Sequence, residues 1–344
     1  MEFIESKDNY AVSYCFPTHN FSCVKVVRSK PEYMLMYIFF SLLSFFTVSM
    51  NLLVIISICH FKQLHTPTNL LILSLSVSDF MVGLIVIPIE SIRLIESCWY
   101  FGKTFCSIFQ ATVFTVIFVS LYNLVLIAVD RYYAVCEPLL YCSRMTMTKT
   151  MMLIILMWSY SIVYNLTLLY CNANLYRTPQ EDHICHGDCT MLVSFTWGVI
   201  DLMVSFIGPC SVILGMYVHI LKVARRQEKA INRAAGRFKD SKVVDTESSQ
   251  TKTSERKGTK TLAIVLFVFM TCWITHYACV LSEELISNPS LVIAFLVWIL
   301  YINSFLNPII YAFRYTWFRV SIRHILSLRV FDSSSAYINI TAQK

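Results

Sequence analysis

One carboxylate sits inside a long apolar run: Asp201, between Met191 and Ile220. A run of that length can cross a bilayer, for which about 20 apolar residues suffice. An ionised Asp in hydrocarbon costs roughly 3 kcal/mol even on lenient insertion scales, and its natural partner is a cation. No Lys or Arg lies inside any other apolar run. A small cationic ligand is therefore the leading partner, and a structural pairing to a neighbouring helix is the alternative. Pro209, eight residues on, removes a backbone donor and distorts its helix. Asp79 lies within a second run, and Glu90 stands near that run's end. Asp130-Arg131-Tyr132 closes a third. Arg131 is a permanent cation, so it can pair with Asp130. Cys272 and His276 share a later run and read as packing residues. No nucleophile–base pair or metal-ligand set stands out, so an enzyme is not expected.

The elements that must position these residues are seven apolar segments. They run Tyr33–Cys59, Asn69–Ile89, Ser107–Val129, Met151–Tyr170, Met191–Ile220, Thr261–Leu281 and Leu291–Phe313. Backbone groups in lipid must be satisfied internally, so each segment is a helix. The composition agrees. The 344 residues are 56% hydrophobic and 14% charged, with a mean hydropathy of +0.60. A soluble domain of this size could not hide that much apolar surface. The fold expected is an all-α membrane protein, a bundle of seven transmembrane helices followed by a short amphipathic eighth. Residues 1–32 form an N-terminal tail, 33–313 the bundle, 314–328 the amphipathic helix and 329–344 a C-terminal tail. Between Arg314 and Leu328, bases alternate with Trp317, Phe318, Val320, Ile322, Ile325 and Leu326, a pattern suited to a membrane surface.

Lys and Arg set the orientation. The connection between the fifth and sixth segments, about 222–260, holds most of them, and the tail adds Arg314, Arg319, Arg323 and Arg329. Such clusters belong in the cytoplasm, which places the N-terminus outside and the chain in the plasma membrane. Lys25, Arg28 and Lys30 disagree locally. The net charge of +7 follows these membrane-facing loops and points away from nucleic acid. The sequon at Asn20 supports an outer N-terminus, where N-glycans are added. Cys15, Cys23, Cys98, Cys106, Cys171, Cys185 and Cys189 fall on that oxidising side, where disulfides are allowed.

Asn51, Asp79, Asp130-Arg131-Tyr132, Trp158, Pro209, Cys272-Trp273 and Asn307-Pro308-Ile309-Ile310-Tyr311 fall one set per span. This pattern resembles the rhodopsin-like G-protein-coupled receptors. Asn303-Ser304, Asn307-Pro308, Tyr311, Tyr315 and Trp317-Phe318 are similar to the fingerprint of trace amine-associated receptors, as is the cluster from Cys185 to Cys189. The resemblance implies an amine agonist and a heterotrimeric, stimulatory or olfactory G protein that raises cyclic AMP. It implies that Arg131 is freed on activation while Tyr217 and Tyr311 reorganise around it. It implies disulfides Cys106–Cys189 and Cys23–Cys185, with the partner of Cys15 left open. Asp79, Ser120, Asn303, Ser304 and Asn307 resemble the family's sodium pocket, whose oxygen ligands suit a hard cation; a water-filled network is the alternative. Beyond that possible ion no cofactor is expected.

Two departures from the family pattern matter. Thr275 stands where a proline is usual, and the amine-binding Asp of the third span is Val113 here. Asp201 stands on the fifth span instead, resembling a fish-expanded branch of the family. The implied pocket is lined by Val113, Phe114, Ile117, Trp197, Ser205, Trp273, His276, Tyr277, Trp298 and Tyr301, whose aromatic faces attract an alkylammonium. Glu90 is a candidate second anion for a diamine, against a plain salt bridge to Arg93. The function expected is an olfactory receptor for amines. A neurotransmitter-type amine receptor, or a secondary transporter using Asp79 and Asp201 as ion sites, are the alternatives.

Overall fold

The computed structural model describes residues 12–19, 21–175, 185–189, 195–237, 264, 267–274, 290–332 and 335–340. Their order is α1 (Lys30–His60), α2 (Pro67–Met81), α3 (Ile87–Glu96), α4 (Gly102–Cys136), α5 (Pro138–Arg144), α6 (Met147–Leu175), α7 (Phe195–Leu202), α8 (Gly208–Arg237), α9 (Ser290–Arg314) and α10 (Thr316–Leu326). Residues 267–274 are helical and belong to the sixth expected span. Among the described residues there is no strand, only isolated bridges between Tyr14 and Val24 and between Ser22 and His186. Among the described residues five continuous helices are long and apolar enough to cross a membrane: Lys30–His60, Pro67–Glu96, Gly102–Cys136, Met147–Cys171 and Gly198–Gln227. The fold is the all-α bundle that the hydropathy predicts.

The helix starts follow capping chemistry. Ser29 and Glu32 form a reciprocal capping box ahead of α1, with Pro31 in its first turn. The Thr66 hydroxyl accepts from the Asn69 amide at the head of α2, and Pro67 follows it.

Two spans widen midway. A π-helical turn at Val82–Val86 joins α2 to α3, and another at Met203–Ile207 joins α7 to α8. Each lies just ahead of a proline, Pro88 or Pro209. A proline ring clashes with the carbonyl four residues earlier and gives that carbonyl no N–H. The carbonyls in question belong to Leu84 and Ser205, inside the two wide turns. Neighbouring spans supply donors to the widened backbone. Ser44 donates to the Gly83 carbonyl at 2.8 Å, and Tyr122 donates to the Val204 carbonyl at 3.1 Å. Gly83 also lets α1 approach closely, since a Cβ there would lie 2.9 Å from the Thr47 methyl.

The helices outrun the apolar segments. α4 extends past Ser107–Val129 at both ends, and α8 continues to Arg237, well into the stretch expected as loop from 222. Lys222–Arg237 is rich in Ala, Lys, Arg, Gln and Glu, all strong helix formers. The lipid requirement stops near Ile220, but helix propensity does not.

The amphipathic helix also differs from expectation. Trp317, Phe318 and Ser321 of α10 are buried. Tyr311, Tyr315, Trp317 and Phe318 form a run of neighbouring rings 5.6–6.0 Å apart that welds α10 to α9. Leu326 points outward, 71% exposed. The tail then folds back. Ile340 is fully buried in the core cluster that holds Phe61 and Phe318. Its amide donates to the Gln63 side chain at 3.0 Å, and Gln63 donates in turn to Asn339 at 3.0 Å. Ser335 meets His60 at 2.8 Å, and the Lys62 ammonium lies over the Tyr337 ring. Residues 335–340 are thus strapped to the turn between α1 and α2. Ile340→Asp would bury an unpaired charge there. Amide hydrogen exchange at Ile340 should then accelerate by at least about tenfold while protection in the spans is unchanged.

Candidate functional site

The end of the bundle nearest the N-terminal segment is closed by a small cross-linked cap. Disulfides join Cys15 to Cys98, Cys23 to Cys185 and Cys106 to Cys189. The Cys15–Cys98 bond answers a pairing that the residues alone left open. Cys171 is free. Gly187 sits in this cap at a φ of +107°, a conformation side chains avoid, and a Cβ there would lie 3.0 Å from that of Cys15. Its carbonyl accepts from the Trp99 amide at 2.7 Å. Two of the three basic residues that disagreed with the orientation, Lys25 and Arg28, are engaged here. Lys25 pairs with Glu96 at 2.6 Å, and Arg28 donates to the Leu94 carbonyl. The Glu96 carboxylate holds the Lys25 ammonium above the usual lysine range.

Beneath the cap stands Asp201, one residue before α7 ends at Leu202. Its Oδ1 accepts from the Ser205 hydroxyl at 2.6 Å and from the Tyr164 phenol of α6 at 3.2 Å. No bond reaches Oδ2 among the described residues, and no Lys or Arg pairs with this carboxylate. The wide turn carries Ser205, which is buried. Tyr164 belongs to an aromatic wall with Phe118, Tyr122 and Tyr160, in which Phe118 lies 5.2 Å from Tyr164 and stacks on Tyr122 at 4.4 Å. The sequence reading missed this wall. Its linear traces are the four-residue spacings of Tyr160 and Tyr164 and of Phe118 and Tyr122, each of which puts two rings on one helix face.

The other expected pocket residues divide between two neighbouring groups. Val113, Trp298 and Tyr301 share a buried cluster with Trp99 and Cys189. Ile117, Trp273 and Tyr301 line a small cavity that continues to Ser120, Asn303 and Ser304. Phe114 is half-buried on α4. Trp197 lies on α7. His276, Tyr277 and Thr275 lie outside the described residues, as does Asn20. Glu90 already holds a cation from its own helix. Arg93 Nε donates to it at 2.8 Å, and Arg93 also reaches the Cys189 carbonyl at 3.3 Å. Of the two readings weighed for Glu90, the geometry matches the salt bridge.

Deeper in the bundle, Asp79 is fully buried and accepts from Asn307 at 2.8 Å. Asn51 donates to the Ser304 carbonyl at 3.0 Å. Among the described residues, Asp79 Oδ1, Asn303 Oδ1 and Asn307 Oδ1 are buried acceptors without a donor. Oxygens left in that state need a donor or a cation, so this group fits a hard cation as well as it fits water.

At the far end of α4, Arg131 pairs with Asp130, its Nε at 2.9 Å. Arg131 also donates to Thr68, which donates to Asp130 at 2.8 Å. Tyr141, on α5, donates to the other Asp130 oxygen at 3.0 Å. Asp130 is completely buried under these partners. Thr68 and Tyr141 could not be assigned from sequence. Tyr132 turns the other way and packs on His219 of α8. Tyr311 is buried and Tyr217 packs on the same cluster, and Pro308 lies inside α9.

The family described as "7 transmembrane receptor (rhodopsin family)" matches residues 50–311. That defines the class as a multi-pass membrane receptor, not an enzyme, working with a small-molecule ligand and a heterotrimeric G protein. A transporter is thereby set aside. The chain is 36% identical to trace amine-associated receptor 13c of Danio rerio over 343 residues, covering 98% of each. It is 35% identical to trace amine-associated receptor 4 of Mus musculus over 331 residues, covering 94% of each. It is 36% identical to trace amine-associated receptor 1 of Homo sapiens over 329 residues, covering 94% of this chain and 96% of the relative. The chain belongs to the trace amine-associated receptors.

The cap closes long loops. Cys15 and Cys98 are 83 residues apart, and closing a loop of that length is worth roughly 4–5 kcal/mol in the chain-entropy account. Replacing both by Ser should lower the thermal midpoint of the solubilised receptor, measured by a dye-binding melt, and leave the other two disulfides in place by peptide mapping.

Proposed function

We propose that this chain is an olfactory receptor for amine odorants, with Asp201 as the counter-ion of the ligand's ammonium. It works in the plasma membrane with its N-terminus outside and Asn20 glycosylated. It signals through a stimulatory or olfactory G protein to raise cyclic AMP. The observation that carries this reading is the state of Asp201. It is a carboxylate in an apolar span, bonded among the described residues only to neutral hydroxyls, on one oxygen, beside an aromatic wall. A cation leaving water needs a charged partner to offset its desolvation. Val113 cannot supply one, Glu90 is engaged by Arg93, and Asp79 is deeper and held by Asn307. The ammonium therefore points toward α7, with the apolar remainder toward Val113 and Tyr301. Tyr164 and Ser205 hold the carboxylate in place. An allosteric sodium ion at Asp79, Ser120, Asn303, Ser304 and Asn307 completes the proposal; it would supply positive charge to otherwise unpartnered oxygens.

The test is a cyclic AMP assay against mono-, di- and polyamines at matched surface expression. Removing one partner of a buried ion pair costs about 3–5 kcal/mol. Asp201→Ala should therefore weaken the best amine by two orders of magnitude or more, with Asp201→Glu retaining part of the response. An unchanged dose–response curve for Asp201→Ala would sink the assignment.

Because Arg93 neutralises Glu90, Glu90→Gln should leave the ratio of diamine to monoamine potency unchanged. A selective loss of diamine response would instead give Glu90 the second-anion role.

A further inference from the structure

α4 and α8 meet at the Arg131 end of the bundle through a pair of side chains that the receptor mechanism does not use. Cys136, the last residue of α4, places its Sγ 3.4 Å from Nδ1 of His219 on α8. From this geometry we infer that Cys136 and His219 form a two-donor site for a soft or borderline metal ion such as Zn2+, which bolts the third span to the fifth.

The distance itself supports the site. Zinc binds thiolate sulfur at about 2.3 Å and imidazole nitrogen at about 2.0–2.1 Å. An ion placed at those lengths from two atoms 3.4 Å apart subtends an angle of about 103°, close to the roughly tetrahedral arrangement zinc adopts. The donor types are selective, because thiolate with imidazole suits zinc or cuprous copper, while magnesium and calcium prefer oxygen. His219 is exposed and Cys136 half-buried, and both stand at the Arg131 ends of their apolar runs, which close at Val129 and Ile220, so an ion can arrive from the membrane edge. The Tyr132 ring, centred 5.4 Å from the His219 ring, packs against the imidazole that presents Nδ1 to the sulfur.

Among the described residues no third His, Cys, Asp or Glu completes the group. Water must fill the remaining positions, which makes the site exchangeable. That suits an ion that regulates rather than one that holds the fold. Binding expels the thiol proton to solvent: Cys–SH, neutral His and Zn2+ give a Cys–S−–Zn2+–His bridge and one H+. A ligand stabilises the arrangement it binds. Here that arrangement has Arg131 latched to Asp130 and Thr68, with Tyr141 holding Asp130 from the other side, and Gln227 of α8 also donates to the Val135 carbonyl of α4. Zinc should therefore oppose release of the latch and lower receptor-driven nucleotide exchange.

The test uses the full-length receptor in lipid nanodiscs, with Co2+ as a coloured probe and Zn2+ as competitor. Wild type should bind about one more Co2+ than Cys136→Ser or His219→Ala, with a thiolate-to-cobalt absorption that Zn2+ abolishes. Cys136→His keeps two donors, so it should keep the stoichiometry and lose the thiolate band; this separates ligation from damage to the helix contact. Zn2+ should also slow guanine nucleotide exchange on a purified G protein with wild type but not with Cys136→Ser. Equal cobalt binding by wild type and both single-donor variants overturns the site. Site-dependent binding with zinc-insensitive exchange overturns the bolt.

Discussion

Inside a bilayer a polar group has no water to fall back on, so the polar groups in these spans need partners within the protein, in their own helix or in a neighbouring one. That constraint organises the bundle. Asp79 takes Asn307, and Asn51 takes the Ser304 carbonyl, so the second and first spans are both tied to the seventh. Trp158 of α6 donates to Ser74 of α2. Ser44 and Tyr122 reach carbonyls in the two wide turns. Van der Waals packing of apolar faces does not by itself fix which helix stands beside which. These directional bonds do, because a wrong neighbour leaves a buried donor or acceptor stranded. At Asp201 the rule is met only in part among the described residues. Its hydroxyl partners satisfy one oxygen but leave the charge uncompensated, and that residual need is what a receptor can offer to a ligand.

The spans were legible because hydropathy acts on every residue of a segment at once, and the basic clusters near α8 and α10 added polarity. Asp201 and the Asp130–Arg131 pair were legible because a charge in an apolar run stands out. Tyr164, Thr68 and Tyr141 were not. Each is an ordinary residue until the fold brings it across to a carboxylate on another helix, and that encounter has no local signature. The Cys15–Cys98 bond was hidden for a related reason: the outer cysteines outnumbered the two pairings that the family resemblance implies. The end of α8 was misjudged because apolar content marks the lipid boundary, whereas the helix persists on propensity through Arg237. Trp317 and Phe318 were recognisable as a pattern, but their burial under the bundle depends on how α10 turns after Tyr315.

The wide turn at Met203–Ile207 bears on how such receptors are compared. One extra residue in a turn rotates everything beyond it by about 100° relative to a regular helix. Asp201 lies on one side of that turn and Pro209 on the other. The direction in which the acid faces is therefore set jointly by its own position and by a proline two turns away. Two receptors that carry an acid at the same count from this proline present it to the same neighbours only if both keep the wide turn. Where the turn closes to regular helix, an identical sequence offset points the carboxylate at a different wall of the binding cavity.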